Sequence, residues 1–211
     1  MNTIDVDWLG MYNNFKKGYG MYIIDVENYM YEVVKIGDLY WTVENLKTTK
    51  LNDGTEIELI TGSKEWVDAG KNNIPAYCYY DNDLNNKQKY GVLYNFHAVD
   101  TGKLAPEGWR VPTDDDWKGL ENYLINNGFS ALPGGFRGCD SYFHDIGRYD
   151  YWWSATEFSA SSAYYRYLYY NEYFDRHYFS KGCGFSVRVV RDDLKHILKI
   201  IDRKVNNESN Y

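Results

Sequence analysis

Tyr164-Tyr165-Arg166-Tyr167-Leu168-Tyr169-Tyr170, residues 164–170, is built from residues that favour strands at nearly every position. An extended chain sends neighbouring side chains to opposite faces, so Tyr165, Tyr167 and Tyr169 share one side and Arg166, Leu168 and Tyr170 the other. Three adjacent tyrosines in a core would each need a partner for the hydroxyl, whereas Leu168 needs none. The alternation predicts a strand with a wet tyrosine platform facing outward and a core face centred on Leu168.

Outward from this stretch, residues 151–191 continue as strands and loops with unusual aromatic crowding between Tyr149 and Phe179. Upstream, Thr113 offers an N-cap hydroxyl, Asp114, Asp115 and Asp116 fill the first turn, and Trp117, Leu120 and Leu124 recur at helical spacing before Asn127-Gly128 closes the segment. A shorter helix is expected over residues 95–99, while 62–73 and 81–89 read as loops. Residues 21–46 give two or three short strands, with turns at 25–28 and at Gly37-Asp38, and Asn52-Asp53-Gly54 marks a further tight turn. Leu194, Ile197, Leu198 and Ile201 place an amphipathic helix after the last strand. The expected organisation is an extension over residues 1–20, one domain over 21–192 and a helical tail over 193–211. Its class is α+β, with small antiparallel sheets, two flanking helices and long ordered loops.

Composition narrows the partners. The chain has 211 residues, 18% of them aromatic, with 23 Tyr and 7 Trp. Its formal net charge is -7 and it has no basic block, which argues against a nucleic-acid partner, since phosphate binding needs clustered positive charge. No apolar run reaches the length of a membrane span, and the first residues carry early acids rather than a signal-like apolar segment, so membrane insertion is not expected and location stays open. Three cysteines, Cys78, Cys139 and Cys183, imply no disulfide framework.

Seven phrases, taken in order, resemble one family, the Fibrobacter succinogenes major paralogous domain. They are residues 40–46 (YWTVENL), 52–55 (NDGT), 75–83 (PAYCYYDND), 90–95 (YGVLYN), 104–113 (LAPEGWRVPT), 132–137 (LPGGFR) and 184–188 (GFSVR). The resemblance implies a C-type-lectin-like fold of the formylglycine-generating-enzyme type. A second likeness joins Trp152-Trp153-Ser154-Ala155-Thr156-Glu157 to Gly184-Phe185-Ser186-Val187-Arg188 and is similar to the variable region of proteins diversified by retroelements. In such proteins adenine randomisation turns asparagine codons into NNY codons, which can encode Tyr, Phe, Ser, Asp, His, Cys and Asn among others, but never Trp, Lys, Glu, Gln or Met. Phe158, Ser162, Tyr165, Tyr167, Tyr169, Tyr173, Asp175, His177, Tyr178, Phe179, Ser180 and Cys183 all fit that code. Glu172 and Lys181 do not, and are expected to be scaffold.

The expected site is a non-catalytic ligand-binding surface made by Phe158, Ser162, Tyr165, Tyr167, Tyr169, Tyr173, Asp175, His177, Tyr178 and Phe179. Its expected partner is a protein or other macromolecule at a cell surface. Tyrosine suits the task, since it offers large contact area with few rotatable bonds. The alternatives are an undiversified adhesin or glycan-binding module and, less favoured, a copper enzyme of the formylglycine-generating type. That enzyme needs a thiolate pair, and no cysteine pair is evident from the spacing. The histidines, His97, His144, His177 and His196, are scattered and make no zinc motif, so no metal or cofactor is expected. Residues 81–85 place oxygen ligands at alternate positions, but Asn86 and Val92 stand where a calcium loop needs Gly and Glu, and an Asx-rich turn is the expected reading. The Gly134-Gly135 pair is expected at positive φ, and Arg137 and Arg188 are expected to be buried against backbone carbonyls.

Overall fold

The computed structural model describes residues 21–127, 132–169 and 173–193. The expected N-terminal extension and C-terminal helix lie outside the described residues. Between them the chain is α+β, with three small, mostly antiparallel sheets and short helices.

The first sheet has the order β1 (Met21–Ile24), β2 (Met30–Ile36), β3 (Leu39–Thr42) and β13 (Val190–Asp192). Strand β2 buries Tyr31, Val33 and Ile36 from a largely alternating pattern, and Gly37 at φ 61° turns it into β3. The second sheet runs β4 (Glu58–Leu59), β5 (Ala76–Cys78), β6 (Leu93–Asn95), β12 (Gly184–Phe185), β7 (Phe136–Arg137) and β8 (Phe143–His144), with only the β4–β5 pair parallel. The third is an antiparallel ribbon in the order β11 (Tyr173–Ser180), β10 (Ser162–Tyr169) and β9 (Tyr149–Ser159). Loop-distant segments are thus drawn together, with β12 and β13 closing sheets begun far upstream.

Four α-helices occur among the described residues, two more than expected. Helix α1 (Ser63–Lys71) and helix α2 (Asn85–Tyr90) occupy stretches that read as loops. In α1 only Trp66 and Ala69 are buried, too short an apolar pattern to announce a helix, and it is flanked by Gly62 and Asn72. Its stability comes from contacts remote in sequence, with Trp66 donating its indole N–H to the Gly138 carbonyl at 3.1 Å. Helix α2 is polar nearly throughout and stops at Gly91. Helix α3 (Phe96–Asp100) starts one residue later than expected, because Asn95 caps it by accepting from the Ala98 N–H.

Helix α4 (Asp114–Asn127) begins as the sequence suggests, with a reciprocal cap. The Thr113 hydroxyl accepts from the Asp116 N–H at 3.3 Å, and the Asp116 carboxylate accepts from the Thr113 N–H at 2.7 Å. Trp117 and Leu120 bury against Trp41, Trp152, Leu168 and Val190, while the side chain of Leu124 and the closure at Gly128 lie outside the described residues. The largest core cluster gathers Tyr94, Phe96, Trp153, Phe185, Val187 and Val189 beneath the ribbon. Residues 185–187 stitch the ribbon down. The Trp153 N–H donates to the Ser186 carbonyl at 3.1 Å, and the Ser186 N–H to the Tyr151 carbonyl at 3.0 Å.

Candidate functional site

Register in the ribbon decides which side chains meet. Strand β10 pairs with both neighbours, setting Tyr165 opposite His177, Tyr167 opposite Asp175 and Tyr151, and Tyr169 opposite Tyr173 and Tyr149. Tyr165, Tyr167 and Tyr169 therefore do share one face, as alternation requires. That face is not simply outward. Tyr165 and Tyr167 are half-buried, and Tyr165 packs on Phe185 at 4.8 Å between ring centres. Tyr149 stacks on Tyr169 at 4.5 Å, and Tyr151 lies about 6 Å from both Tyr165 and Tyr167, below the surface with its hydroxyl donating to Asp145 at 2.8 Å. The reason is that β9 lies over the core, so the tyrosine face sinks on that side and rises toward the β11 edge.

The rise delivers the exposed part of the site. Tyr169 and Phe179 are 38% and 42% exposed, His177 is exposed, and Asp175 accepts a 3.4 Å hydrogen bond from the Tyr167 hydroxyl. Ser162 lies at the hairpin end opposite Ser180. Tyr173 pairs in backbone register with Tyr169, and its side chain lies outside the described residues.

Two expected site residues are on the other face. Phe158 and Tyr178 stack at 3.8 Å with an interplanar angle of 9°, and Phe158 meets Tyr164 edge-on at 5.4 Å. Tyr178 is cross-strand from Tyr164, in phase with Arg166 and Leu168. The single surface expected from the sequence is thus two, back to back. The second face holds Phe158 and Tyr178, 47% and 43% exposed, with Arg176 lying over Tyr164 at 4.9 Å. Tyr149, Tyr151 and Tyr164 join the site through cross-strand register, which alternation within residues 164–170 alone does not carry. Carrying the two-residue period back into β9 finds Tyr149 and Tyr151, and antiparallel pairing places Tyr164 beside Tyr178.

A buried charge fixes the ribbon from below. Arg166 donates to the Asp114 carboxylate at 2.7 Å and to the Asp114 backbone carbonyl at 3.1 Å, and Arg176 reaches the other carboxylate oxygen at 2.9 Å. Burial pushes the Arg166 guanidinium below its ordinary range while Asp114 pulls it back.

The model of the Fibrobacter succinogenes major domain matches residues 34–128 and 125–191. The chain belongs to that family. Comparison with curated proteins returns no match. In this Fibrobacter succinogenes major domain the shared phrases are structural. Asn45 of the 40–46 phrase accepts from Trp152 Nε1 at 2.8 Å and from Arg188 Nε at 3.3 Å, joining two of those phrases and strand β9 in one buried network. Arg137 donates to the carbonyls of Ile60, Thr61, Gly62 and Ser141, and Arg188 reaches the Thr42 carbonyl at 3.5 Å. Gly135 sits at φ 65°, but Gly134 does not share the positive φ expected of the pair. Asp83 accepts from the Asn85 N–H at 2.9 Å, and Asp81 and Asn82 adopt φ 53° and 55°, which is Asx-turn geometry in the 81–85 segment. No group of three metal-binding side chains occurs among the described residues.

The cysteines correct the sequence reading. Cys139 and Cys183, distant in sequence, are neighbours, with the Cys139 N–H donating to the Cys183 sulfur at 3.1 Å. Cys78 is buried in β5, where burial pushes its thiol up to about 12. Among the described residues no helix is long and apolar enough to cross a membrane.

Proposed function

We propose that this domain is a non-catalytic recognition protein on a C-type-lectin-like scaffold, the variable protein of a diversity-generating retroelement. It binds a macromolecule at a cell surface through Tyr165, Tyr167, Tyr169, Asp175, His177 and Phe179. Phe158 and Tyr178 offer a second contact surface behind them. One observation carries the reading. Among the positions read as variable, every described side chain but Cys183 is exposed or half-buried, on a ribbon anchored by buried Ala163, Arg166 and Leu168. Accessible positions carried on a buried frame are the ones that can vary at little cost to the fold.

The chemistry suits recognition. Tyrosines already packed edge to edge have lost most of their rotamer freedom before a ligand arrives, so less entropy is spent on binding. Asp175 and His177 at the rim supply polar selection. Aromatic anchors of this kind commonly contribute about 2 kcal/mol or more each at an interface centre.

The test has two arms. Serine at Tyr169, His177 and Phe179 together is expected to weaken binding to target cells at least about tenfold while the unfolding midpoint stays put. Undiminished binding would sink the assignment of this face. Sequencing the locus is expected to show a reverse transcriptase gene and a second copy of the 3′ coding end differing at adenines. Without that copy, diversification fails and recognition stands on the first arm alone.

A further inference from the structure

A cavity of about 390 Å³ beside helix α1 is lined by Trp66, Asn73, His97, Cys139, Ser161 and Lys181 among others, and Cys183 is buried next to Cys139. Both cysteines are presented by tight turns anchored on α1. The turn carrying Cys139 closes with the Ser141 N–H donating to the Gly138 carbonyl, which also accepts from Trp66. The turn carrying Cys183 closes with its N–H donating to the Ser180 carbonyl. Gly182 lies so close to Gly70 that a Cβ on Gly70 would meet the Gly182 Cα at 2.9 Å, so the second turn is seated directly against the helix.

We propose that Cys139 and Cys183 form a thiol–disulfide exchange site for low-molecular-weight, polar disulfides, with Cys139 attacking and Cys183 resolving. Cys139 is exposed and Cys183 is buried behind it, the order that such a sequence needs. The Cys139 thiolate attacks one sulfur of R–S–S–R, forming Cys139–S–S–R and releasing RS⁻. The Cys183 thiol then attacks the Cys139 sulfur, closing Cys139–S–S–Cys183 and releasing the second RS⁻, which takes up the Cys183 proton. Two protein thiols are oxidised and one disulfide is reduced to two thiols. The cavity volume falls in the range of small-molecule sites, and Asn73, His97, Ser161 and Ser180 set polar groups into an otherwise largely apolar wall, a mixture that a peptide-like disulfide can meet.

Electrostatics agree with the division of labour. The hydrogen bond from Cys183 pushes the Cys139 thiol down to about 6, helped by Ser180 and opposed by burial and Asp140. Burial and the same bond push Cys183 far up. Of the other groups on the cavity wall, Lys181 pairs with Glu157, and His97 donates its Nε2–H to the Gly70 carbonyl at 3.1 Å and is kept below its ordinary range by burial. Low-pKa thiols are the reactive ones, although each thiolate is intrinsically a weaker nucleophile as its pKa falls.

Oxidised glutathione is the probe, with intact mass as the readout. The wild-type chain is expected to finish lighter by the two thiol hydrogens, bearing an internal disulfide that peptide mapping assigns to Cys139 and Cys183. The Cys183→Ser variant is expected to stop with one glutathione on Cys139, and Cys139→Ser to remain unmodified. A stable glutathione adduct on the wild type, or equal reaction of Cys139→Ser, would overturn the proposal. A second measurement needs no variant. At about pH 6, iodoacetamide is expected to label Cys139 of the folded chain about tenfold faster than cysteines of the urea-unfolded chain, once thiolate fraction and nucleophilicity are both counted. Equal rates would also overturn it.

Discussion

Replacing Asp114 by Ala tests whether the ribbon is held by charge from beneath. The side chains of Asp114 and Arg166 are 10% and 3% exposed, and they meet at 2.7 Å. The other two partners of Asp114, Arg176 at 2.9 Å and Lys118 at 3.4 Å, are about half exposed, and such pairs contribute only about 0–1 kcal/mol. Asp114 also stands in the first turn of α4, where a carboxylate adds about 0.3–1 kcal/mol. The dominant loss is therefore Arg166, left charged, buried and with one carbonyl in place of a carboxylate. Stranding a buried charge costs about 3–5 kcal/mol. For a domain of this size that lowers the melting temperature by roughly 6–20 °C. Urea unfolding followed by tryptophan fluorescence reads the change, since Trp117 and Trp152 pack in the cluster that the pair supports. The slope against urea should stay the same if only the native state is weakened. The second half of the test is rescue. Adding Arg166→Met to Asp114→Ala should recover most of the loss, because removing both charges removes the stranded one. A single-variant loss below about 1 kcal/mol, or a double variant no better than the single, would refute the reasoning.

Buried groups elsewhere in the fold should respond as strongly. Burial pushes the Asp150 carboxyl up to about 8 against the pull of Arg188, so the folded chain holds a proton that the unfolded chain releases above about 4. Stability then falls as pH rises across that window, by up to about 1.4 kcal/mol per unit, and Asp150→Asn should abolish this component. Parallel wild-type and variant profiles in urea titrations between about pH 5 and 7.5 would contradict it. Gly135→Ala should cost more than about 2 kcal/mol, since a Cβ there meets the His144 carbonyl oxygen at 2.3 Å on top of the strain at φ 65°. A thermal midpoint matching wild type would show that the 132–137 segment adapts. Arg137→Met removes donors from four carbonyls and should cost at least about 3 kcal/mol in urea unfolding. Arg137→Lys should recover less than half of that, because an ammonium cannot span the four or lie flat between Trp66 and Phe143. Full recovery with Lys would refute the role of shape.

What could be read from the chain was what depends on near neighbours. The cap of α4 needs only Thr113 and Asp116, and the two faces of β10 need only a period of two. Helix α1 was not legible because its burial is supplied by Gly138 and Arg137, far away in sequence. Tertiary contact overrode weak propensity there. The placement of Phe158 off the tyrosine face was hidden for a different reason, whereas that of Tyr178 follows from a period of two along β11. Pairing shifts register twice near the hairpin end, between Ser162 and Ala163 and between Ala163 and Tyr165, and parity cannot be carried across such irregularities from sequence. The Cys139–Cys183 neighbourhood was equally out of reach, since it depends on where two separate turns dock on one helix.

The architecture separates what holds the ribbon from what the ribbon shows. Asp114 and Trp117 act on the face carrying Arg166 and Leu168, and the Asn45–Trp152–Arg188 network lies deeper still. None of these contacts involves Tyr169, His177 or Phe179. Exposed changes away from caps, cores and buried pairs usually stay within about 0.5 kcal/mol. Tolerance should therefore be graded across the sheet. It is smallest at Tyr151, whose ring is buried on Phe185 and whose hydroxyl is bonded to Asp145, and intermediate at half-buried Tyr165 and Tyr167. It is greatest along the β11 edge. On that edge His177, Tyr178 and Phe179 are exposed, so substitutions there should leave the unfolding midpoint nearly unchanged.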